Sequence, residues 1–153
     1  MPLSLADHFA LIEAEYAEAL AHPLSARHAM LVAVLLDKYA DRLFDARRDT
    51  APEKLFYTED VLAFRTRLAA AVPALGRIFA LCALAPDGPR LVTKTVAVPL
   101  PDYPSLPLAD FMVSLYNSNT VQRVVLVGTG DDRLAHEVIG EALEVLRERG
   151  AGE

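Results

Sequence analysis

The sequence predicts an α+β domain: an N-terminal three-helix segment packed on a small three-stranded mixed β-sheet with a crossover helix and a C-terminal helix, in the order ααα-ββ-α-β-α. Three observations carry that expectation. Residues 29–36, AMLVAVLL, are apolar at every position within the longer helical stretch 24–48, and a helix that is greasy on every side is expected to be buried on every side, Leu35 included. From Arg77 onward the helical period gives way to short apolar or alternating runs bounded by turn residues. After the turn GTGDD, Leu134, Ala135, Val138, Ile139, Ala142, Leu143 and Leu146 return to helical spacing.

Helix one starts at Ser4, an N-cap residue with Asp7 three positions on, and its stripe is Leu5, Phe9, Ile12, Tyr16 and Leu20. His22-Pro23 ends it, because the residue before proline is pushed out of the α region. Helix two opens with Pro23 or Leu24 near its first turn and narrows after residue 36 to a stripe of Tyr39, Ala40, Leu43 and Phe44. Residues 50–57 form a connector with one helical turn after Pro52. Thr58 then caps helix three, whose stripe is Val61, Phe64, Leu68 and Val72 and which Pro73 stops.

Residues 77–85, RIFALCALA, then APDGP, then 90–98, RLVTKTVAV, read as a β-hairpin with a buried first strand and a half-wet second strand at the sheet edge. Prolines 99, 101, 104 and 107 make the next stretch a stiff crossing. Residues 107–117 are assigned to a helix, with a second hairpin turning at Ser118-Asn119 as the alternative. Residues 121–127, VQRVVLV, form the third strand. A right-handed helical crossover would set it parallel to the second, with the first strand antiparallel between them and an open edge beside VVLV.

A chain of 153 residues suits one domain, which buries roughly two thirds of its unfolded surface. The net charge of −6, with acids spread along the helices, argues against nucleic acid or a membrane surface as partner. Arg47, Arg48, Arg65 and Arg67 sit among acids and read as solvated helix faces. Cys82, the only cysteine, excludes an intrachain disulfide and a thiolate zinc site and reads as a core residue. The N-terminus lacks a basic start and an apolar run, so the expected location is the cytoplasm. Of the 15 basic residues 12 are arginine, which fits a GC-rich bacterial genome.

Few motifs carry chemistry. Gly128-Thr129-Gly130 follows a strand, but no third glycine or lysine accompanies it, and Asp131 and Asp132 would repel a phosphate. It reads as a strand-to-helix turn with an acidic cap. His8, His22, His28 and His136 form neither HxxxH nor HExxH, His136 falls on the solvated helix face, and neither metal nor cofactor is expected. Asp37, Asp41 and Asp45 line one ridge flanked by Lys38, Arg42 and Arg48, as an outer charged face would. No nucleophile motif is present, and no catalytic residue is assigned.

The residue group best suited to a small polar ligand or a partner peptide is Tyr103, Tyr116, Asn117, Asn119, Gln122 and Arg123, a concentration of neutral donors and acceptors around one arginine. The expected function is a non-enzymatic binding or interaction module, a homodimer closing its sheet edge across a two-fold axis. The alternative is a small enzyme with a polar site around residues 116–123.

Overall fold

The structure is a computed structural model and describes residues 3–97 and 120–150. Ser4 opens the first helix as its sequence suggests, its hydroxyl accepting the Asp7 amide at 3.0 Å, and α1 runs Leu5–Ala21. His22 leaves helical geometry ahead of Pro23 and caps the C-terminus of α1. The second helix, α2, runs Ala26–Arg47. Its N-cap is Ser25, whose hydroxyl accepts the His28 amide at 3.1 Å, so Pro23 and Leu24 belong to the turn and not to the helix.

The all-apolar stretch is not buried all round. Val32, Ala33, Leu36 and Ala40 are fully buried, Leu35 is half-buried, and Leu31 and Val34 keep 44% and 41% of their surface exposed among the described residues. The physical reason is coverage: four other helices pack against α2, and positions such as Leu31 and Val34 fall outside those contacts.

One 3-10 turn, Pro52–Leu55, follows α2 and buries Leu55, after which Phe56 and Tyr57 reverse the chain in left-handed geometry. The third helix, α3, runs Val61–Ala71, and its cap is Asp60, which accepts the Ala63 amide at 2.7 Å. Thr58, the expected cap, instead donates to the Leu55 carbonyl at 2.6 Å.

The main departure from the expected order lies at residues 77–85. They form no strand; α4 runs Pro73–Cys82. Pro73 does stop α3, and in the same place its fixed φ and missing N–H suit the first position of a new helix. Leu75, Ile78 and Leu81 are buried at three-residue spacing, a pattern that a nine-residue apolar run cannot distinguish from a buried strand. Gly76 lets α4 lie close to α3, since a Cβ there would sit 3.3 Å from the Ala69 methyl.

The strand order changes with it. β1, Arg90–Ala97, pairs antiparallel with β2, Thr120–Val127, from Arg90 opposite Val127 to Ala97 opposite Thr120. A two-residue β3, Arg133–Leu134, pairs antiparallel with the other side of β2, so the edge beside VVLV is partly filled by the chain itself. Among the described residues the sheet is antiparallel throughout, not mixed, and β1 is its edge strand, with Thr93, Lys94 and Thr95 exposed. The expected helix 107–117 lies outside the described residues.

The last helix, α5, runs Ala135–Gly150 and buries Ala135, Val138, Ile139, Ala142, Leu143 and Leu146 against α1, α2 and α4. Among the described residues the fold is therefore α+β, with four α-helices packed against α2 and an antiparallel three-stranded sheet.

Candidate functional site

A cleft of 240 Å³ opens where the α1–α2 turn meets β2 and the first turn of α5. Its polar lining is Tyr16, His22, Ser25, Arg123 and His136, set among three alanines and the side chains of Leu20, Pro23, Val124 and Ile139. Each is delivered by a local rule: Tyr16 belongs to the apolar stripe of α1, His22 and Ser25 are the cap residues on either side of Pro23, and Arg123 lies on the central strand. His136 is second in α5, and Tyr16 locks α5 in place by donating from its hydroxyl to the His136 carbonyl at 3.1 Å.

The electrostatics of the cleft are asymmetric. His136 is half-buried, and burial pushes its pKa below the usual imidazole value; the positive charge of Arg123 adds to that, while Glu137 opposes it. The cleft thus combines one permanent cation with one imidazole held neutral. Arg123 donates to the Gln122 carbonyl at 2.8 Å. The Gln122 amide donates across the sheet to the Thr95 hydroxyl at 2.8 Å, and Gln122 does not line the cleft.

Two histidines meet at the rim. His22 and His28 stack with ring centroids 4.6 Å apart and planes inclined by 4°. The Nδ1–H of His22 donates to the Glu18 carbonyl at 2.9 Å, and Nδ1 of His28 lies 2.6 Å from the Ser25 hydroxyl oxygen. One donor atom from each of Glu18, His22 and His28 lies within 4.8 Å of the other two. Spacing within single helices hides this set, because His22 and His28 belong to different helices brought together by the His-Pro turn.

Of the residues singled out in the sequence, Tyr103, Tyr116, Asn117 and Asn119 lie outside the described residues, and Gln122 and Arg123 are adjacent on β2. Arg123 enters the cleft. Tyr16, His22, Ser25 and His136 were missed as its companions, and His136, expected on a solvated face, is half-covered because Tyr16 packs across α5.

The other sequence candidates have structural roles. Gly128 and Gly130 adopt φ of 90° and 106°, but the loop leads into β3, and Asp131 pairs with Arg77 at 2.6 Å while Asp132 pairs with Lys94 at 2.5 Å. The acids tie the loop to α4 and β1 instead of capping a helix. The Asp37 and Asp41 ridge is not a solvated face either. Arg65 binds both carboxylates and lies 4.0 Å over the Phe79 ring, which joins α2, α3 and α4. A second groove, of 350 Å³, is also lined by Tyr16, and its Arg147 is already paired with Glu13 at 3.0 Å and with Glu144.

No family model, no curated protein and no solved structure matches the chain. None of the helices among the described residues is long and apolar enough to cross a membrane.

Proposed function

We propose that the protein is a non-enzymatic binding module whose ligand is a small organic anion seated in the cleft between the α1–α2 turn, β2 and α5. The observation that carries this reading is the presence of Arg123 and a neutral His136 in one concave, mostly apolar cleft. A guanidinium offers a planar fork of donors to a carboxylate or phosphate. A neutral imidazole, a serine hydroxyl and a tyrosine hydroxyl add hydrogen bonds that orient the rest of the molecule. The volume, 240 Å³, sits below the range of about 300–1,000 Å³ usual for drug-sized ligands and suits a small metabolite.

Calorimetric titration with a panel of small carboxylates and phosphate monoesters tests this. Saturable binding that Arg123→Ala removes, with the far-UV spectrum unchanged, supports the reading. Equal binding by wild type and Arg123→Ala overturns it.

The second reading, a small enzyme, rests on His136: an imidazole held neutral by burial in a cleft is suited to take a proton from a bound substrate. It is favoured if His136→Gln retains anion binding but loses turnover of the bound compound. The wider setting we propose is the cytoplasm of a bacterium, with two copies associating through the exposed apolar side chains of α2, among them Leu31 and Val34. Sedimentation velocity showing a monomer at high concentration removes the dimer.

A further inference from the structure

We propose that Glu18, His22 and His28 form a binding site for a divalent transition metal ion of the zinc class at the α1–α2 elbow. Two imidazoles and one carboxylate are a donor set that suits zinc and its neighbours and not calcium or magnesium, which take oxygen ligands almost alone. The three donors already converge to within 4.8 Å of one another. A tetrahedral ion with bonds of about 2 Å needs donors about 3.3 Å apart. The remaining closure falls to side chains free to make it, since the Glu18 and His22 side chains are 61% and 53% exposed.

The outer hydrogen bonds are also those of a metal site. Ligating histidines as a rule use one ring nitrogen for the metal and anchor the other on a carbonyl, carboxylate or hydroxyl, which fixes tautomer and ring orientation. His22 Nδ1 faces the Glu18 carbonyl at 2.9 Å and the Glu18 carboxylate at 3.8 Å; in the tautomer whose Nδ1–H donates to the carbonyl, the lone pair is on Nε2 and a turn of the exposed ring brings it to the ion. In His28 the Ser25 hydroxyl oxygen, which already accepts the His28 backbone amide at 3.1 Å, stands 2.6 Å from Nδ1 and accepts its proton in the tautomer that frees Nε2. The two anchors come from helix ends, the Glu18 carbonyl in the last turn of α1 and the hydroxyl of Ser25, the N-cap of α2.

The stacked arrangement makes the inference sharper. A metal ion lies in the plane of each imidazole that binds it, and two parallel stacked rings share no such point. At least one ring therefore swings out of the 4° stack when the ion enters. Binding consequently carries a signature beyond affinity: the mutual ring-current shifts of His22 and His28 disappear. Three protein ligands leave a fourth position for water or another donor, and His22 is shared with the rim of the cleft. The site does not depend on the anion reading, because none of its ligands needs an occupant in the cleft.

The test uses the full chain, free of tag and stripped of metal, titrated with Zn²⁺ by calorimetry near neutral pH, with Co²⁺ as a spectroscopic substitute. The expected result is one ion per chain at micromolar affinity or better, with the visible spectrum of four-coordinate cobalt. Loss of an outer hydrogen bond at such a site weakens binding by about 10- to 100-fold, and His22→Ala, His28→Ala and Glu18→Gln should each weaken it at least as much. Glu148→Gln, an exposed carboxylate elsewhere on α5, should leave it unchanged. For any variant that fails to fold, histidine ring proton spectra of the wild type decide the matter. Zn²⁺ should shift His22 and His28 and spare His8. Absence of saturable binding, binding unchanged in the His22→Ala/His28→Ala double variant, or zinc uptake with the stacked-ring shifts intact overturns the proposal.

Discussion

The hydroxyl of Tyr16 donates to the carbonyl of His136 at 3.1 Å and rests on Gly140, where a Cβ would stand only 2.7 Å from the phenolic oxygen. This contact pins α1 to the first turn of α5, and Tyr16 lines both grooves. It also explains a glycine in the middle of a helix. Alanine at position 140 should gain about 1 kcal/mol of helix propensity and displace the tyrosine hydroxyl, whose hydrogen bond is worth about 1 kcal/mol. Gly140→Ala alone should therefore leave stability nearly unchanged, Tyr16→Phe should cost about 1 kcal/mol, and Gly140→Ala in the Tyr16→Phe background should stabilise. Urea unfolding of the four proteins checks the cycle. Strictly additive effects would show that the two residues are not in contact.

His8 gives stability a pH dependence. It is 4% exposed, its Nε2–H donates to the Leu35 carbonyl at 3.0 Å, and its Nδ1 accepts from Arg42 at 3.0 Å, so it is held in the neutral form. Burial lowers its pKa below 6.5; the Leu35 carbonyl opposes the shift and the Arg42 charge adds to it. The unfolded chain takes up the proton first as pH falls, so stability is full above about 6.5 and declines below it. His136, lowered in the same direction, adds to the decline. His8→Gln keeps a donor and an acceptor but cannot titrate. Its thermal midpoint should fall less steeply with pH than that of the wild type, and an identical slope would remove His8 from the account.

The uneven burial of α2 separates neighbours in sequence. Leu36 is fully buried at the centre of the core, and Leu31 is 44% exposed on the same helix. Leu36→Ala should cost about 3 kcal/mol through lost burial and the cavity left behind, whereas Leu31→Ala should stay within about 0.5 kcal/mol. Chemical denaturation of the isolated variants at low concentration distinguishes them. Equal losses would mean that Leu31 is covered after all.

Where the signal was local, the sequence was legible. Ser4 as a cap, the His22-Pro23 stop, the turn at Pro52, the Pro73 stop and the amphipathic last helix depend on residues within a few positions of one another. Within residues 77–85 the burial of Ile78 and Leu81 could be foreseen while Leu84 is exposed, and whether a strand or a helix buries the first two is decided by what Pro73 starts and by how closely Gly76 approaches Ala69. Strand pairing was not legible, because the partner of β1 is set by packing and not by adjacency. For the candidate site, local polarity flagged Arg123, but Tyr16, His22 and His136 are up to 120 residues apart, and only the packing of α1 on α5 unites Tyr16 with His136.

Cys82 should be an unreactive thiol although it is only half-buried. Burial is the main cause that pushes its pKa up, to about 11; the charge of Asp37 adds to the shift and that of Arg65 opposes it. At mildly alkaline pH the thiolate fraction is on the order of a hundredfold below that of an ordinary cysteine, while the greater intrinsic nucleophilicity of a high-pKa thiolate recovers only about tenfold. Alkylation by iodoacetamide should therefore run about tenfold slower than for a free cysteine, with the rate still rising with pH beyond the point where an ordinary thiol has levelled off. Asp37→Asn should bring the rise to lower pH, because it removes a neighbouring negative charge that disfavours the thiolate. If the rate levels off near pH 8.5, the range of an unperturbed thiol, Cys82 is not held by these neighbours.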